Sequence, residues 1–235
     1  MKKAIYWFRK NLRIHDNPSL YNAINENEEV ICIYIKNYSI YNPSGIDIGN
    51  MGSFRKKFLD ESILDLKNNL KKVGINLYIF DGDLIKVLKE IKSKYLSNKI
   101  YASKEVGWYE EKEEEELKEN NFDLNLYDDQ FLIERNSMPY KTEELPLIFT
   151  HFRKKVEKIV KVRDEVDKIS YDKKIDRYDF NYQSKIEFHE LEIHKHSNFP
   201  FKGGETYAND RLKFYLWENN GIETYKETRN GLIGT

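Results

Sequence analysis

Cysteine is almost absent from this chain of 235 residues. Cys32 stands alone in the run VICIYI, so no intrachain disulfide can form, and the thiol reads as a small buried apolar group. The five histidines are scattered. His194 and His196 sit two apart in EIHKHS, but two ligands without a third do not make a zinc site, so no metal is expected. No apolar run approaches the roughly 18 residues of a membrane span. The start, MKKAIYWFRK, lacks the long apolar core and small-residue cleavage site of a secretory leader. A cytoplasmic protein is the expectation. The formal net charge is -1, which excludes a strong overall field for nucleic acid.

Several nucleotide and catalytic motifs are missing as well. The segment RKNLRIHDNP after the first apolar run has no glycine, so it cannot bring its backbone up to a pyrophosphate as GxGxxG does. GxxxxGK[ST], GxSxG and HExxH are absent too, which removes the P-loop, the usual α/β-hydrolase nucleophile and the zincin site.

What is present is alternation. AIYWF, VICIYI, INLYIF, KIYAS and DLNLYDD read as strands, and helical patterns separate them. Pro18 suits the first turn of a helix running to about Asn25. Residues 41–52 read as a loop. Phe54, Phe58, Ile63, Leu66 and Leu70 recur at helical spacing, Gly74 ends that helix, and Asp83 caps the next. This pattern predicts an α/β fold, a parallel sheet with helices on both faces, over residues 1–135. Residues 136–200 read as a connecting segment and surface linker, and 201–235 as the start of a helical domain. A helix is expected from Gly204 to Gly221, with Leu212, Leu216 and Trp217 apolar.

The loop carrying Arg9, Lys10, Arg13, His15 and Asp16 has two readings. One is a rigid connection in which Asp16 pairs with a loop arginine. The other is an anion or cofactor contact at the C-terminal edge of the sheet, where open α/β folds bind ligands. Arg153, Lys154, Lys155, Lys158, Lys161 and Arg163 face only Glu157 within residues 151–163. That basic stretch suits either phosphate or a surface position beside the acidic helix at 110–119. Trp7 and Trp217 read as core packing rather than an electron relay.

IYWFRKNLRIHDNPSL, NMGSFRKKFLDESILDLKNNLKKVG, LYDDQFLIERNSMPY, ELPLIFTHFRKKVE and FKGGETYANDRLKFYLWENNGIETYKETRNGLIG resemble, in order, blocks of the photolyase/cryptochrome family, most closely its DASH-type branch. The resemblance implies a five-stranded Rossmann-like sheet in order 3-2-1-4-5, an antenna chromophore on the α/β domain and FAD in the helical domain. It also implies blue-light-dependent repair of damaged DNA, single-stranded by preference, or light sensing. Glu110 and Glu105 are the implied contacts of a methenyltetrahydrofolate-like antenna, since a carboxylate accepts two hydrogen bonds from an aminopyrimidine edge. Tyr225 lies where the family begins its approach to the flavin phosphates. In the family the FAD clasp follows YKETRNG, and this sequence ends at Thr235. These residues are therefore expected to carry no catalytic group, to retain no FAD and to need either self-association or a C-terminal half. The alternative is a non-enzymatic pigment- or nucleotide-binding α/β module working with a partner chain.

Overall fold

The computed structural model describes residues 2–36, 52–171, 178–184 and 201–231. His194, His196 and nearly all of the loop expected at 41–52 lie outside them. Five parallel strands form one sheet in order β3-β2-β1-β4-β5. They are β1 (Lys3–Phe8), β2 (Glu29–Lys36), β3 (Leu77–Asp81), β4 (Lys99–Ser103) and β5 (Asp123–Tyr127). The crossover helices are α1 (Pro18–Glu26), α2 (Ser53–Lys72), α3 (Leu84–Tyr95) and α4 (Trp108–Glu119).

Strand alternation explains the two faces. Ala4, Tyr6 and Phe8 point with Cys32 toward Leu20 of α1 and Ile63, Leu66 and Leu70 of α2. Ile5 and Trp7 point the other way, toward Leu88, Ile91 and Tyr95 of α3 and Leu117 of α4. A strand buried on both sides must be apolar at every position, as β1 and β2 nearly are. The helix starts follow local chemistry. Asn17 accepts from the Leu20 N–H at 3.1 Å with Pro18 in the first turn, and Asp83 accepts from the Lys86 N–H at 2.9 Å.

The linker does more than cross the surface. Tyr171 and Phe180 are buried, the first in the core under α1 and α2, the second in the core under α3. The Phe180 ring meets Tyr78 and Phe80 edge-on at 5.4 Å each. Beside it, the Asp81 N–H donates to the Tyr182 carbonyl at 3.3 Å and the Ser184 N–H to the Ile79 carbonyl at 2.8 Å. The segment thus runs antiparallel to β3 and covers part of an edge that would otherwise be open to pairing.

Beyond the sheet lie α5 (Phe149–Ile159) and α6 (Glu205–Lys213). The helix expected to run to Gly221 instead passes into a π turn at Phe214–Glu218 and a 3₁₀ turn at Gly221–Thr224. Trp7 is buried, as its sequence context implied, but Trp217 is 68% exposed and packs into no core.

Phe180→Ala should cost about 3 kcal/mol by loss of buried ring contacts. Chemical denaturation measures that loss, and amide exchange should quicken along β3. An unchanged midpoint would contradict the role given to the linker.

Candidate functional site

The strand order reverses between β1 and β4, the place where open α/β sheets form a crevice. Here side chains fill it. Asp129, just past β5, is buried, and its carboxylate accepts from the hydroxyls of Ser19 and Ser103 and from the Asn11 amide. Asn11 also donates to the Tyr6 hydroxyl at 3.0 Å, which donates in turn to Asn17 at 3.0 Å. Burial, reinforced by the Asp129 charge, pushes the Tyr6 hydroxyl far above its ordinary pKa and keeps it a neutral donor.

Arg9 is buried as well and its fork is fully engaged. One arm donates to Glu114 at 2.7 Å and the Ser103 carbonyl at 3.3 Å; the other reaches the Glu110 carbonyl at 3.1 Å and Glu113 at 3.2 Å. Lys10 points outward. Its ammonium lies 2.5 Å from Glu110 and 3.7 Å from Glu105. Glu110 sits in the first turn of α4 and folds back over Gly107, where an added Cβ would lie 1.9 Å from its Oε2. Partial burial pushes its carboxyl up, but Lys10 and its own backbone N–H outweigh that and hold it below the ordinary range. For Glu105 burial wins: its carboxyl is raised, although Arg9, a hydrogen bond from Gln130 and Lys10 oppose the shift. The structure therefore brings Glu105 and Glu110 together around Lys10. Tyr225 stands apart, 51% exposed on the short helix Tyr225–Thr228.

Beside the filled crevice opens a cleft of about 640 Å³ between this loop, α2 and α6. Lys10, Leu12, Arg13, Tyr34, Arg55 and Phe58 are among its walls. Arg13 donates only to carbonyls, those of His15 at 3.2 Å, Asp16 at 3.0 Å and Asp129 at 2.8 Å. Arg55 has no carboxylate partner among the described residues. The far wall is held by Gly203, Gly204 and Glu205. The Gly203 N–H donates to Glu61 at 2.8 Å, and a Cβ there would lie 2.0 Å from the Phe58 carbonyl oxygen. Gly204 has φ +121°, which a side chain rarely allows. Glu205 accepts from the backbone N–H groups of Ile14 at 2.9 Å and His15 at 2.8 Å. The start of α6 is thereby pinned to the arginine-rich loop.

Asp16 finds its arginine outside the loop. Arg163 clasps it with two hydrogen bonds, at 2.6 and 2.9 Å, and the Val166 N–H adds a third at 3.2 Å. Of the other basic residues near α5, Arg153 pairs with Glu157 at 3.4 Å and Lys155 lies 4.1 Å over the Tyr140 ring. Sequence reasoning missed Asn11, Asp129, Gln130 and Glu205 as members of this region. The double glycine before Glu205 was the available signal, because two adjacent glycines at a helix start mark a close backbone approach.

The family profile described as DNA photolyase matches residues 4–170. The chain belongs to the DNA photolyase family. Cryptochrome DASH of Danio rerio is 32% identical over 99% of this chain and 47% of its own length. The solved Synechocystis cryptochrome superposes with TM-score 0.86 at 26% identity, covering 99% of this chain and 50% of that one. The archaeal photolyase from Sulfolobus tokodaii, solved with two FAD molecules and implicating a novel light-harvesting cofactor, gives TM-score 0.56 at 27% identity over 73% of this chain and 38% of its own. The chain spans about half the length of the curated relatives it matches.

In this photolyase-family chain two measurements check the geometry. Gly203→Ala should loosen α6 and lower stability by roughly 2 kcal/mol or more, since the Cβ meets backbone rather than a movable side chain. A variant as stable as the parent would contradict the clamp. The second concerns Asp16, whose carboxyl the Arg163 hydrogen bonds hold below the usual range, against partial desolvation. A depressed carboxyl stabilises the fold above its unfolded pKa of about 4 and loses that contribution as pH falls through the folded value. Arg163→Met should therefore flatten the stability curve between about pH 5 and pH 2. An acid limb identical to the parent's would show that the pair does not matter.

Proposed function

We propose that this chain is the light-harvesting half of a blue-light-driven DNA photolyase or cryptochrome. The observation that carries the reading is the cleft between the arginine-rich loop and the pinned α6. Its volume falls in the range of small-molecule sites, and it combines aromatic and aliphatic walls with Lys10, Arg13 and Arg55. That set suits a flat chromophore with an anionic appendage, and two classes fit it. A methenyltetrahydrofolate-like pigment would have to reach past Lys10 to meet Glu105 and Glu110, which lie behind it and outside the cleft wall. A flavin nucleotide would turn its phosphate to the arginines, and the two FAD molecules of the Sulfolobus tokodaii relative favour keeping this second class in view. Either chromophore, when bound, supplies absorption of near-ultraviolet or blue light and passes the excitation on.

The catalytic FAD and damaged DNA, single-stranded by preference, belong in this reading to a helical domain built outward from α6. Leu212, Phe214 and Trp217 stay exposed there, an apolar surface of the kind such a domain would cover. Tyr225 then stands at the approach to the flavin.

Ala208, on the α6 wall, gives a direct test. Ala208→Trp should fill the cleft and weaken chromophore binding, followed by fluorescence titration, by tenfold or more (about 1.4 kcal/mol) with little change in melting temperature. Undiminished binding in the variant would move the chromophore elsewhere and overturn the reading.

A further inference from the structure

Two surface helices of opposite charge, α4 and α5, share no ion pair among the described residues. We infer that they meet between copies of the chain, the acidic stripe of α4 on one copy seating against the basic stripe of α5 on a second. The contact needs no chromophore.

Helical spacing sets the acidic stripe. Trp108, Glu111, Glu115 and Glu119 follow at intervals of three, four and four, so they stack along one side of α4. The other side is committed to the fold: Leu117 is core, and Glu113 and Glu114 are taken up by Arg9. Glu111, Glu115 and Glu119 are exposed and have no ion pair among the described residues. With the exposed Glu116 they outnumber Lys112 and Lys118, and Lys112 lies over the Trp108 ring at 3.8 Å.

The basic stripe repeats that spacing. His151, Lys154 and Lys158 follow at intervals of three and four on α5, with Lys155 beside them. The inner side holds Val156, which is buried, and Phe152, stacked on Tyr140 at 6.0 Å. Arg153 takes Glu157, the one carboxylate of the helix, at 3.4 Å. Lys154 and Lys158 are exposed and have no carboxylate among the described residues.

Each stripe also begins at an apolar cluster. Val106, Trp108 and Tyr109 are exposed around the start of α4; Leu147, Ile148 and Phe149 are exposed around the start of α5, Leu147 fully. Laid side by side and parallel, with Trp108 level with His151, the two helices bring these clusters together. Glu111 then stands opposite Lys154, and Glu115 opposite Lys158. The antiparallel arrangement also pairs the charges but leaves the apolar clusters at opposite ends. A phosphate backbone would match the lysines and leave Leu147 and Ile148 in water. A second copy satisfies both the charge and the apolar surface, which is why it is the occupant. One helix pair is a small interface and its ion pairs lie at the rim, so the association is weak and screened by salt.

Sedimentation equilibrium of the purified chain tests this. At about 50 mM salt the weight-average mass should rise with concentration, and roughly 0.5 M salt should weaken the association tenfold or more. Glu111→Lys with Glu115→Lys, and separately Lys154→Glu with Lys158→Glu, should each weaken it at least tenfold through like-charge contact. An equimolar mixture of these two double variants should associate nearly as tightly as the parent, because each supplies the charges the other has reversed. That rescue also shows that both are folded. If either reversal melts early, the neutral pairs Glu111→Gln with Glu115→Gln and Lys154→Gln with Lys158→Gln should still weaken association about fivefold. A parent that stays monomeric at low salt up to about 0.5 mM overturns the inference. So does association that neither double variant weakens, which would come from another surface such as Leu212 and Trp217. A mixture of folded variants no tighter than its components overturns it too, and assigns the lysines to a different anion.

Discussion

A buried carboxylate closes the end of this sheet. Asp129 collects hydroxyl hydrogen bonds from Ser19 at the start of α1 and Ser103 at the end of β4, with the Asn11 amide beside them. The loop from Asn11 to Ser19 and the end of β4, far apart in sequence, are joined by one side chain beyond β5, and each partner is itself held. An unpaired carboxylate in such a place would be costly, so the network stands or falls as a unit. Its consequence is topological. The crevice at the switch point, the usual ligand position in an open α/β sheet, is full of protein. The neighbouring cleft stays open, and its wall is the same loop that the network immobilises.

The far wall is built by the same logic. Gly203 and Gly204 let the chain lie against α2 closer than any side chain permits, and Glu205 returns two hydrogen bonds to the backbone of the loop. The start of α6 is therefore fixed by contacts inside the described residues, independent of whatever covers Leu212 and Trp217. A cleft with both walls held needs little reorganisation on binding, which lowers the cost of ordering a ligand. Lys10 is the exposed side chain at its rim, and the two glutamates behind it are ordered by the start of α4 and by Gln130.

Much of this was legible in the sequence, and the reason is local. β1 to β4 are apolar on both faces because both faces are buried, and Asp83 and Pro18 announce helices through chemistry contained within one turn. The sheet order came from family resemblance, since no local pattern encodes it. What escaped was long-range pairing. Arg9 meets Glu113 and Glu114 from more than a hundred residues away, and Asp16 meets Arg163 across the linker rather than a neighbour in its own loop. Tyr171 sits singly in polar surroundings, and the alternation Tyr178, Phe180, Tyr182 marks an extended segment without saying which strand it covers. Trp217 failed in the opposite sense, because an apolar residue at helical spacing says which face is apolar and not whether anything covers it. Glu105 and Glu110 were picked out by resemblance, but their state depends on Lys10, nearly a hundred residues earlier.

The central claim is that the cleft between the arginine-rich loop and α6 is where this chain holds its chromophore. Mapping amide chemical shifts while riboflavin 5′-phosphate is added tests it most directly. The account predicts the largest changes at Lys10 to His15 and at Gly204 to Asn209, with the amides of Lys2, Asn27 and Asp123 at the opposite end of the sheet unmoved. Changes concentrated at that opposite end, with the loop and α6 silent, would contradict it.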